Sequence, residues 1–435
     1  MQMPQQLLSQ PLPTITTITS FITNTKDSTK TTLSIILATA LFSLLFILSL
    51  SSSSTSSLHS NVHTRPDPYL FPTRQPTFNK IPSDPSPSIA YLISGSKGDS
   101  NRILRLLYAA YHPKNQYLLH LDRFASQADR ERLAITVQSV PIFRAAKNVN
   151  VIGKADFAYP KGSSTISATL HGAAILLRLS KNWDWFVNLS AGDYPLITQD
   201  DLLHIFSYLP KDFNFLNHTS YLGWRESRKM KPIIVDPGLY LSDRTDMFYA
   251  SQKRELPNAF RIFTGSRLSI LSRNFMEHCI LGTDNLPRTL LMYFSNTRSS
   301  LTNYFPTVLC NSHQFNRTII NNNLEYVAFE KTSKQANHTL NIREFDAMIQ
   351  SGAAFASQFQ HDDPVLERID QEILGRNPGQ VVPGGWCLGD PENGTCSVWG
   401  DAYVLRPGQG AARLEKRIVE LLSKGAFRSH QCIVE

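Results

Sequence analysis

Asp122 closes the apolar run "QYLLHLD", and Asp193 follows "WDWFVNLSAG" just ahead of Tyr194-Pro195. A carboxylate at the end of a buried run can accept hydrogen bonds from a ligand's N–H and O–H groups, or take a proton as a general base. Asp236, in "VDPGLY", carries the same two capacities. Cations and an aromatic stand near by in "GWRESRKMK". Trp224 there could stack on a sugar ring, and Arg225 and Arg228 could pair with an anion, a carboxylate bidentately. The stretch also reads as an ordinary basic loop. Asp193 has a plainer reading too, as a turn residue or the cap of the helix near "QDDLLHIF".

The elements that must position these groups alternate from residue 88 onward. "SIAYLISG" reads as a strand and "DSNRILRLLYAAYH" as a helix capped by Asp99 or Ser100. "QYLLHLD", "NVNVIGK" and "DWFVNLS" read as further strands, with "SQADRERLAITVQSV" and "SSTISATLHGAAILLRLS" as the helices between them. Such alternation predicts an α/β body with a mainly parallel central sheet. Ligands of open α/β sheets lie beyond the carboxyl ends of the strands. The groups at those ends are Ser94, Gly95, Ser96, His120, Asp122, Lys154 and Asp193. "SGSKGDS" lacks P-loop spacing, and no GxGxxG, GxSxG or HExxH motif occurs, which disfavours NTPases, dehydrogenases, serine hydrolases and zincins.

The chain carries a formal charge of +8, with 42% hydrophobic and 18% charged residues, a globular composition. Its basic residues are scattered and no zinc-finger spacing is present, so nucleic acid is not an expected partner. Residues 31–50, "TTLSIILATALFSLLFILSL", contain no charge. As a helix they would span about 30 Å, a bilayer core. Lys26 and Lys30 precede them and no basic residue follows until Arg65, so the positive-inside rule leaves the N-terminus in the cytosol. The expected organisation is a cytosolic tail over 1–30, a signal-anchor helix over 31–50, a Ser/Pro-rich stem over 51–87 and a lumenal body over 88–435. Sequons at Asn217, Asn316, Asn337 and Asn393 suit a lumenal body, and Asn188 matches the sequon on an apparently buried strand. None of the five cysteines forms a CxxC pair. Cys387 and Cys396 bracket a polar turn, and in an oxidising compartment they would close it as a disulfide.

The ordered stretches "YLISG", "LLYAAYHPKNQYLLHLDR", "WDWFVNLSAGDYPLIT", "VDPGLYLS", "GSRLSILSRNF", "CNS" and "WGDAYVLRPG" resemble the plant branch of the core-2/I-branching β-1,6-N-acetylglucosaminyltransferase family. The resemblance covers about residues 88–432. It implies a type II protein of the Golgi membrane with a GT-A-like fold. It also implies metal-independent, inverting transfer of a sugar from a UDP-sugar to a β-galactan acceptor such as arabinogalactan-protein glycan. Glucuronic acid is the first choice of donor sugar, because several plant members are glucuronosyltransferases. No cofactor is expected, and the chain contains no Asp-x-Asp motif to hold a cation. Basic side chains must then offset the diphosphate. The resemblance points to the C-terminal "WGDAYVLRPGQGAARLEKR", where Arg406 and Arg413 are the first candidates. Arg413 also fits a solvated helix face together with Lys416 and Arg417. By the same resemblance Asp122 would bind the uridine, and Asp193 with Tyr194 would line the sugar or acceptor side.

One part of the pattern is missing. Family members supply the catalytic base as a Glu shortly before a Tyr. This chain reads "SSLTNYF", with Thr302 and Asn303 in that place, and neither can act as a carboxylate. Asp193 and Asp236 are the substitutes nearest by motif. The alternative is a weak or inactive relative that binds nucleotide or glycan.

Overall fold

The first strand, β1 (Ile89–Gly95), has no solvated face. Ile89, Tyr91 and Ile93 point into one core, and Ala90 and Leu92 into another on the opposite side. A strand buried on both faces belongs at the centre of a sheet covered by helices. β1 accordingly lies between β2 (Gln116–Leu121) and β4 (Trp185–Ser190), parallel to both, and β3 (Val149–Val151) extends the sheet beyond β2. On the other side Ile270–Ser272 runs antiparallel between β4 and β6 (Asn214–Phe215), and Ile319–Ile320 completes seven strands. The sheet is therefore mixed, with its parallel half where the sequence predicts it.

This computed structural model describes residues 86–240, 246–328, 339–389, 396, 398–423, 429 and 431–432, all within one compact unit, with the side chain of Arg225 excluded. The apolar run at 31–50, the stem, and the sequons at Asn337 and Asn393 lie outside the described residues. No described helix is long and apolar enough to cross a membrane.

The helices predicted between the strands form at Ser100–Ala109, Gln127–Ser139 and Ser164–Leu179. Ser164–Leu179 sits tight on the sheet. A Cβ on Gly172 would come within 2.7 Å of Leu92 Cδ1, so a larger residue there would require Leu92 to shift. A second, three-stranded sheet joins β5 (Asp193–Pro195) to Phe355–Ser357 and Glu325–Val327. It carries chain from three distant segments to the end of β4.

Two disulfides form. Cys387 pairs with Cys396 as the sequence predicts, and Cys310 pairs with Cys432 across 122 residues, leaving Cys279 as a thiol.

Candidate active site

A cleft of about 400 Å³ opens at the carboxyl ends of β1, β2 and β4. That volume suits a ligand of drug size, within the usual range for small-molecule sites. Ser94, Gly95 and Ser96 border it from β1, His120 and Asp122 from β2, and Ser190 to Gly192 from β4. Three candidate residues read from the sequence, Ser94, Gly95 and Asp122, therefore meet in one place. Asp122 accepts hydrogen bonds from Ser96 Oγ at 3.0 Å and from the Phe124 amide at 3.0 Å. Burial pushes its carboxyl up to about 6, against the pull of those two donors. Gly95 has a steric duty: a Cβ there would lie 2.7 Å from Asp99 Cβ. Lys154, at the end of β3, is exposed and does not border the cleft.

Two arginines the sequence reading did not single out supply the positive charge. Arg102, on the helix after β1, donates to Asp99 Oδ1 and to the Phe359 carbonyl, both at 2.9 Å. Arg267 reaches in from the "GSRLSILS" segment, its side chain about a third exposed, and donates to Asp193 Oδ1 at 2.5 Å. Both border the cleft. Gly192 makes room for the first, since a Cβ there would lie 3.2 Å from Arg102 Nη2.

Asp193 stands beneath this surface. Its side chain is wholly buried; Oδ2 accepts from the Ser190 amide at 2.7 Å and Oδ1 from Ser190 Oγ at 3.0 Å, besides Arg267. The expected catalytic carboxylate is instead the anchor of a cleft arginine. It does not cap the following helix either: Thr198 does, in a capping box with Asp201.

Asp236, the other carboxylate expected to be catalytic, is also engaged with backbone. It is fully buried, accepting from the Ser164 amide at 2.7 Å and the Gly238 amide at 2.8 Å, so it holds the start of the helix Ser164–Leu179. It does not border the cleft. Tyr194, expected on the sugar side, is 3% exposed. Its hydroxyl donates to Asp370 Oδ1 at 2.6 Å and receives Arg376 Nη2 at 2.9 Å, a buried network that clamps β5 to the chain near Arg376.

The C-terminal arginines expected at the diphosphate lie elsewhere in this structure. Arg406 is exposed and engages through its backbone, its amide donating to Asp200 Oδ2 at 2.6 Å. Arg413 lies on the helix Gln409–Leu422, which packs against Gln199–Phe206, and its Nη2 lies 3.5 Å from the Leu196 carbonyl. Neither borders the cleft. Trp224 is exposed on the helix Trp224–Met230 with the Arg228 guanidinium 5.3 Å from its ring centre, and neither side chain borders the cleft.

A second cavity, of about 540 Å³, shares Arg267, Ser357 and Gln358 with the cleft. Thr302 borders it, its hydroxyl donating to the Ser299 carbonyl at 2.9 Å. Asn303 is buried beside it and donates to the same carbonyl at 3.0 Å. Glu325 borders this cavity as well. Sequence reasoning missed it, for no motif marks it.

The strand-end cleft thus holds a carboxylate and two arginines and shares three lining residues with a second cavity. The chain belongs to the Core-2/I-Branching enzyme family, whose model matches residues 89–349, and it is a glycosyltransferase. It is 51% identical over 356 residues to the Arabidopsis thaliana protein "Beta-glucuronosyltransferase GlcAT14A", covering 81% of this chain and 80% of that one. It is 44% identical over 357 residues to "Beta-glucuronosyltransferase GlcAT14C" of the same plant, covering 82% and 88%. A more distant relative is "Xylosyltransferase 1" of Rattus norvegicus, 30% identical over 237 residues, which are 54% of this chain and 27% of that protein.

Proposed function

We propose that the chain transfers glucuronic acid from a UDP-sugar to a β-galactan acceptor such as arabinogalactan-protein glycan, with inversion and without a metal. The carrying observation is the cleft itself, bordered by Asp122, Arg102 and Arg267 together. In this reading Asp122 accepts a hydrogen bond from the uracil N–H. Arg102 and Arg267 offset the diphosphate as it leaves, the task for which Arg406 and Arg413 were expected. Charge-assisted bonds of this kind are roughly twice as strong as neutral ones and strengthen as the leaving group gains charge. The donor sugar then lies toward Arg267 and Gln358, where the cleft meets the second cavity, and the acceptor enters through that cavity. The glucuronosyl choice draws on what the Arabidopsis relatives are named for.

The site of action in this reading is the Golgi lumen, with the chain held as a type II membrane protein by residues 31–50. The two disulfides support an oxidising compartment.

The second reading, a binding protein on a transferase fold, is favoured by one observation: Thr302 and Asn303 hold no carboxylate, and both donate to the Ser299 carbonyl. The deciding experiment assays the purified full-length chain with UDP-glucuronic acid and β-galactan oligosaccharides, with and without a chelator. Turnover that survives the chelator is the expected result. UDP binding without turnover from any UDP-sugar would establish the second reading. Turnover abolished by the chelator would remove the metal-independent mechanism.

A further inference from the structure

We propose that Glu325 is the general base of this chain, taking over a task that Thr302 cannot perform. The inference rests on the transferase reading above and adds the group that moves the proton. As the acceptor hydroxyl oxygen forms its bond to the anomeric carbon, the bond from that carbon to the diphosphate oxygen breaks. The diphosphate leaves with the electron pair, and the hydroxyl proton passes to the Glu325 carboxylate.

Three observations carry it. Among the described residues bordering the second cavity, Glu325 is the one carboxylate, and Thr302 borders the same cavity. Glu325 therefore faces the space that a base at position 302 would have faced. Next, the two carboxylates that the sequence offered as substitutes are committed. Asp193 is wholly buried under two Ser190 donors and Arg267, and Asp236 holds two backbone amides. Finally, Glu325 is held in place by a few side-chain partners, Ser357 among them. Its strand pairs with Phe355–Ser357, Asn323 Nδ2 donates to Oε2 at 2.6 Å, and Arg267 stays 3.8 Å from Oε1. A carboxylate has about four lone-pair sites, so these contacts leave room for an incoming hydroxyl, and Arg267 borders both the cavity and the donor cleft.

The electrostatics agree. Burial first, and then the charge of Asp193, raise the Glu325 carboxyl well above the ordinary glutamate range, with Arg267, Asn323 and Ser357 opposing. His218 borders the same cavity, and Arg417 and Tyr326 border a neighbouring pocket that Glu325 also lines. A base with a raised pKa takes a proton more readily, and it is active only above that pKa.

The test compares wild type, Glu325→Gln, Glu325→Asp and His218→Gln as full-length chains, with kcat measured across pH and UDP affinity measured by calorimetry. Glu325→Gln is expected to lower kcat by about 10²–10⁴-fold. Its UDP affinity and melting temperature should stay those of wild type, and the loss of rate toward acid pH should vanish. Glu325→Asp should recover part of the rate and keep a displaced acid limb. Glu325→Gln turning over like wild type would overturn the base assignment and leave the transferase reading standing. So would a loss of rate matched by loss of UDP binding or melting temperature, which marks a structural role. An acid limb removed by His218→Gln instead would pass the role to the histidine. Wild type that binds UDP but turns over no donor would overturn both the base and the enzyme reading.

Discussion

At the scale of single residues, the carboxylates divide by what already occupies their lone pairs. Asp122 has burial against it and two short donors for it, and it remains in the wall of the cleft. If its ionised form accepts from the nucleobase, UDP affinity should fall as pH drops below about 6, where its folded carboxyl takes up a proton. Titration calorimetry of wild type and Asp122→Asn checks this; Asp122→Asn should bind weakly at every pH and lose the dependence. Arg267→Ala should weaken UDP binding by about 10-fold or more, the effect of losing one charge-assisted contact. Arg406→Ala should leave it unchanged, since the exposed Arg406 side chain does not border the cleft. The reverse pattern in the same titration would restore the C-terminal arginine to the diphosphate.

At the scale of elements, the site depends on how helix starts and strand ends are tied down. The helix Ser164–Leu179 begins on Asp236, whose two backbone bonds are of the charged kind and buried. Asp236→Asn should cost about 1–3 kcal/mol of stability in urea unfolding, the usual loss when a buried donor is left without its partner. Its kcat at saturating substrate should change little. A large fall in kcat with unchanged stability would return Asp236 to the chemistry. The C-terminal helix plays a comparable part. Asp200 and Asp201 accept from the amides of Gly385, Arg406 and Gly408, so the segment before Gln409–Leu422 is fastened through its backbone. That explains why its arginines point elsewhere: the contact that matters there does not use their side chains.

At the scale of the whole molecule, the two disulfides close loops of very different length. Cys310–Cys432 spans 122 residues and Cys387–Cys396 spans 9. If cross-links act by restricting the unfolded chain, the first should contribute about 5 kcal/mol and the second about 2.6. Cys310→Ser should therefore lower the unfolding midpoint clearly more than Cys396→Ser, and equal effects would argue against that mechanism. Burial pushes the remaining thiol, Cys279, up, which keeps it protonated and poorly reactive. Much of the fold was legible because hydrophobic period and turn chemistry act locally. The strands, the helices between them and the Cys387–Cys396 loop all follow from patterns within a few residues. The antiparallel strand at Ile270–Ser272 and the small sheet through β5 were not legible, because they pair segments far apart in the chain.

The candidate site divides along the same line. The sequence by itself determined that Ser94, Gly95 and Asp122 would gather at the carboxyl edge of the sheet, because each ends or follows a strand, and the helical patterns between the strands make them parallel. It also determined the family, through motifs spread over most of the body. Only the tertiary structure decided which charges meet in the cleft. Arg102, Arg267 and Glu325 come from a helix, a loop and a strand with no common local pattern, and their roles depend on which lone pairs and donors their neighbours leave unused. Asp193, Asp236 and Tyr194 look reactive in one dimension because they are polar residues set among apolar ones. In three dimensions that setting is what buries them, and a buried polar group must spend its hydrogen bonds on the fold.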